Sequence, residues 1–188
     1  MVKPQKSFIF SLFFAALSTS LFAATPKVSE VPLKMMRKLD MLSGEWQLSG
    51  RMTMNAGKTW SEIAPNRIEI SSQHRGMLLT EQPVKLSNTA FNMLSFLTYD
   101  QYRKVYRKAA IDDTWGIMDL YEGKIVDNQL VLTNLKSQTF FPIGNDTWRA
   151  FRITMELKAD KRKMVIEASD DRGQSWQPNF EMTYRKIG

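Results

Sequence analysis

The chain has 188 residues, a formal charge of +7, one histidine and no cysteine. Disulfides and thiolate metal sites are therefore excluded, and a zinc site drawing on several His or Cys ligands has nothing to draw on. Lys and Arg are interspersed with acids along the chain instead of gathered in a stripe, which argues against a nucleic-acid partner.

The N-terminus has the three parts of a secretory signal. Lys3 and Lys6 form a basic start, Phe8 to Leu17 is an apolar run, and Ser18 to Ala24 supplies small residues. The run is shorter than the ~20 residues of a membrane span. The expectation is a signal peptide over 1–23, cut at Ala23 or Ala24, leaving a periplasmic or secreted protein without a stable membrane anchor. Residues 24–32, with two prolines, read as a linker, and 33–188 as a single domain.

Leu33, Met36, Leu39 and Leu42 recur every third residue, the spacing of a short amphipathic or tighter helix. Strand patterns follow. Trp46, Leu48, Met52 and Met54 alternate with polar residues, the period of two expected for one buried face. Arg67–Ser71, Met77–Gln82, Phe91–Tyr99, Lys104–Ile111, Ile117–Tyr121 and Leu130–Leu135 are further candidates. Phe151, Ile153, Met155 and Leu157 alternate clearly. Ala159 to Arg162 reads as a charged hairpin tip, Met164–Ala168 returns, and Trp176–Ile187 closes the chain. Short, evenly spaced strands after one helix predict an all-β antiparallel barrel of about eight to ten strands.

Gly44-Glu45-Trp46 at the start of the first strand resembles the first signature of the calycin barrels, the lipocalins and their relatives. Together with Tyr99-Asp100, Tyr121-Glu122-Gly123, Leu130-x-Leu132 and Tyr184-Arg185, it makes the chain similar to an uncharacterised bacterial family of exported calycin-like domains. The resemblance implies a barrel closed at one end by Trp46, with Arg185 from the last strand lying across its ring. It implies no activity.

Enzyme signatures are missing. There is no Gly-x-Ser-x-Gly elbow, phosphate loop or dinucleotide fingerprint. His74 lies in a polar stretch that reads as a turn. The pairs Asp112-Asp113 and Asp170-Asp171 sit where turns are expected, and strand neighbours point to opposite faces. Ser169 to Trp176 resembles the Asp-box of sialidase propellers, but a single copy reads as a hairpin turn built by Asp171 and Gly173. No cofactor is expected.

One segment points to binding. If Tyr99 to Ile111 is one strand, Tyr99, Arg103, Val105, Arg107, Ala109 and Ile111 share a face. That face would carry Arg103 and Arg107 into the barrel, where an arginine needs an anion, either a protein carboxylate or a ligand head group; the alternative is that both lie near the rim or pair with acids of the chain. The expected function is binding of a small apolar or amphipathic, lipophilic or anionic molecule, with Arg103, Arg107 and Tyr99 as candidate contacts. The alternatives are a filled-barrel envelope scaffold and an enzyme using the same cavity.

Overall fold

A computed structural model describes residues 27–86 and 92–187. The expected signal peptide, the first part of the linker and Phe91 lie outside the described residues. Helix α1 (Glu30–Arg37) begins before Leu33, inside the stretch expected to be linker. Pro32 does not prevent this, because the first helical turn has no intrahelical partner for its N–H groups. A 3-10 turn, Asp40–Leu42, follows.

Eleven strands come next: β1 (Gly44–Met52), β2 (Ser61–Gln73), β3 (Leu78–Pro83), β4 (Met93–Asp100), β5 (Val105–Asp112), β6 (Met118–Val126), β7 (Gln129–Thr133), β8 (Phe141–Gly144), β9 (Thr147–Glu156), β10 (Lys161–Ser169) and β11 (Gln177–Lys186). Strands β1 to β7 pair in sequence, β7 pairs β9, and β9, β10 and β11 lead back to β1, every pair antiparallel. Ten strands thus close the expected all-β barrel. Strand β8 hangs on the start of β9 outside the ring. It was not foreseen, because four residues including Pro142 carry almost no alternation.

The two ends of the barrel differ. At one end the strand connections are short, and α1 with its 3-10 turn packs beneath them, burying Met36, Leu39 and Leu42. Trp46 Nε1 donates to the Leu42 carbonyl at 2.9 Å and the Tyr106 hydroxyl to the Met35 carbonyl at 2.8 Å, which fixes this plug. At the other end lie the longer connections 53–60, 113–117, 134–140 and 170–176. Apolar residues from all ten barrel strands meet between the ends, among them Ile70, Leu79, Leu97, Ala110, Leu132 and Ile153. Among the described residues no helix is long and apolar enough to cross a membrane.

Candidate functional site

The interior cation expected on β5 is present, but it is not the expected one. Tyr99 and Tyr106 are register partners and face inward together, their rings edge to face with centroids 5.1 Å apart. A turn at residues 101–104 separates them, so the inward parity is odd on β4 and even on β5. Tyr106, Lys108 and Ala110 are therefore buried, and Arg107 points outward. Arg103 lies in the turn and, like Arg107, is largely exposed and pairs with Asp100. Neither arginine enters the barrel. Reading Tyr99 to Ile111 as one strand carried the parity across a hairpin.

Lys108 takes the interior place. Its ammonium donates to Ser95 Oγ at 2.7 Å and lies 3.3 Å from Glu81 Oε2. The Tyr184 hydroxyl donates to Glu81 Oε1 at 3.0 Å. Burial alone would push the Glu81 carboxyl up. The charges of Lys108 and Arg162, with hydrogen bonds from Tyr184 and Lys108, instead hold it below its ordinary range. Burial also drives the Tyr184 phenol well above its usual value.

The partner of Trp46 is Arg162 in place of Arg185. The Arg162 guanidinium lies 3.7 Å from the Trp46 ring centroid and 4.5 Å from that of Tyr184, whose rings stand edge to face at 78°, so both rings contact the cation. Arg162 and Tyr184 are cross-strand partners with side chains on the same face. Arg185, one residue on, must point to the other face and is exposed. Arg162 is 0% exposed, and among the described residues its Nε, Nη1 and Nη2 have no hydrogen-bond partner. Burial lowers its pKa. The cluster therefore contains two cations and one carboxylate, with every N–H of one guanidinium side chain unanswered.

Little space lies beside it. The void bounded by Glu81, Ser95, Lys108 and aliphatic side chains measures about 20 Å³, room for roughly one water. Toward the end with long loops, the apolar residues Leu48, Met93, Phe151, Ile166 and Phe180 are only half-buried. On that side too, burial raises the Asp119 carboxyl; Tyr121 donates to its Oδ2, and its Oδ1 has no partner.

The rim carries a repeat that the sequence reading missed. Ser169-x-Asp171-x-Gly173-x-Ser175-Trp176 has a counterpart in Thr53-x-Asn55-x-Gly57-x-Thr59-Trp60. In the later hairpin, Gly173 N donates to Ser169 Oγ at 2.7 Å and Ser175 N to Asp171 Oδ1 at 2.9 Å. In the earlier one, Gly57 N donates to Thr53 Oγ1 at 3.1 Å and Thr59 N to Asn55 Oδ1 at 2.9 Å. Both glycines have positive φ, and each tryptophan lies under an arginine, Arg51 over Trp60 and Arg152 over Trp176. Asn55 in place of aspartate concealed the first copy. Spacing and the terminal tryptophan would have revealed it. The two hairpins flank a cleft of about 490 Å³ at the rim.

His74 is exposed in a turn, as expected, and no group of three or more His, Cys, Asp or Glu able to hold a metal occurs among the described residues. Asp112 accepts from the amides of Thr114 and Trp115, and Asp171 from that of Ser175, so both build turns. Asp170 instead pairs with Arg149, and Asp113 accepts from Asn92. No curated protein matches the chain. A family model described as "Protein of unknown function (DUF1579)" matches residues 31–186.

Proposed function

The chain belongs to the DUF1579 family, and from that premise we propose that it is an exported, calycin-like barrel that binds a small amphipathic molecule with one acidic group. Arg162 carries this reading. A guanidinium that is fully buried against the Trp46 and Tyr184 rings, with no hydrogen-bond partner among the described residues, is costly unless an acceptor meets it. A carboxylate head group there would form charge-assisted bonds away from water, and it would balance the surplus positive charge of the cluster. The tail would lie along Leu48, Met93, Phe151, Ile166 and Phe180, whose incomplete burial leaves them reachable from the mouth. The void beside Glu81 and Lys108 holds only about 20 Å³, so a head group entering there requires neighbouring side chains to move aside.

The test is titration of a fluorescent fatty-acid probe into the wild type and into Arg162→Met. Micromolar binding by the wild type, weakened at least about tenfold in the variant, is expected. A wild type that binds no probe favours the second reading, a filled-barrel scaffold, which the small void supports. Export is checked separately by the intact mass of protein recovered outside the cytoplasm, with a start near Ala24 or Thr25 expected.

A further inference from the structure

The rim cleft is separate from the barrel interior, and its walls carry opposite charge. Its floor is the start of β11, Gln177 to Asn179, which runs between β10 and β1. One wall is the 53–60 hairpin and the other the 169–176 hairpin. Asn179 ties the first wall to the floor, donating from Nδ2 to the Thr53 carbonyl at 2.8 Å while its backbone carbonyl accepts from Thr53 N at 2.8 Å. Hydrogen bonds within each hairpin hold both walls in shape before any ligand arrives, so little ordering cost remains for binding. At about 490 Å³ the cleft has the size of a small-molecule site.

The matched hairpins differ in charge where they line the cleft. The first has neutral Asn55 and the cation Lys58; the second has Asp171 at the equivalent of Asn55 and Asp170 beside it. Arg149 neutralises Asp170 through two bonds of 2.7 and 2.8 Å, yet Asp170 remains 48% exposed. Each of its oxygens keeps a second acceptor position. The Asp171 charge is answered by hydroxyl and amide donors, with no cation paired to it, and its carboxyl stays far below the usual range through the Ser169 and Ser175 hydrogen bonds. The four charged groups sum to zero, with a cation on one wall and surplus carboxylate on the other.

We infer that this cleft binds a small zwitterion, its carboxylate on Lys58 and its ammonium on the Asp170 side. A bare anion would meet two carboxylates, and a bare cation would meet Lys58 and Arg149. A molecule bearing both charges satisfies each wall. Short peptides and free amino acids share this chemistry.

The test uses the full mature chain and alanyl-alanine as probe, followed by calorimetry and by the fluorescence of Trp60 and Trp176. The free dipeptide should bind in about the millimolar range or tighter. N-acetylation or C-terminal amidation should each weaken it about tenfold. Lys58→Met should abolish the discrimination against the amide, and Asp170→Asn that against the acetyl form. Arg162→Met should leave dipeptide binding unchanged, so this site can fail or stand independently of the barrel interior. Equal binding of capped and free dipeptides, no binding of either, or equal competition by a neutral disaccharide would overturn the inference. An unresponsive Lys58→Met variant, which alters only an exposed side chain, would do so as well.

Discussion

The closed end of the barrel and its rim satisfy polar side chains in opposite ways. At the closed end Glu81, Ser95, Lys108, Arg162 and Tyr184 come from five strands, and partners such as Tyr184 and Glu81 are 103 residues apart in the chain. At the rim, Asp171 finds Ser169 and Ser175 within four residues, and Asn55 does the same with Thr53 and Thr59. Charges satisfied by near neighbours survive local disturbance. Charges satisfied only by the finished barrel depend on all of it.

Removing the interior anion should therefore have the largest effect. Glu81→Leu leaves Lys108 and Arg162 buried without a carboxylate, and urea unfolding should show a loss of about 3–5 kcal/mol. A loss under about 1 kcal/mol would mean that water already shields the two cations.

The same group sets a pH dependence. Its folded-state pKa lies below the ordinary value of 4.5, so the carboxylate contributes stability above pH 4.5, and that contribution disappears as pH falls through the folded value. Acid unfolding of the wild type should steepen below pH 4.5, and Glu81→Gln, less stable throughout, should show a shallower slope there. Parallel acid curves would assign the acid sensitivity to other carboxylates.

The rim should lose less, and equally on both sides. Gly57 and Gly173 have φ of 84° and 88°, so alanine at either costs about 1–2 kcal/mol. Thermal melts should shift by similar amounts, with chemical-shift changes confined to the altered hairpin. Smallest of all, Arg103→Met and Arg107→Met should stay within about 0.5 kcal/mol and leave probe binding intact, since both face solvent.

This contrast also explains what could be read from the chain. The barrel was legible because alternation such as Phe151-x-Ile153-x-Met155 is a local pattern with one structural meaning. The later rim hairpin was legible because every participant lies within eight residues. Arg162 was placed at a hairpin tip because it stands among Lys161 and Lys163, and only the register with Tyr184 turns it inward. The inward phase of Lys108 depends on where the 101–104 turn begins, and Lys104, at φ 56°, gives no warning in its residue type. Trp46 was recognised by its setting, while its cation comes from a strand whose pairing no short motif encodes.

Strand β1 is paired on one side by β2 and on the other by β11, the last strand of the barrel. The ring therefore has a seam between the first and last strands, sealed further by Ile187 N donating to the Glu45 carbonyl at 2.9 Å. A chain made or threaded N-terminus first presents β1 with one raw edge until residues 177–186 appear. During that interval the growing sheet remains open, available to a chaperone or to another chain. The barrel cannot close ahead of its final strand, so a polypeptide stopped before Gln177 would leave β1 and β10 each with an unpaired edge.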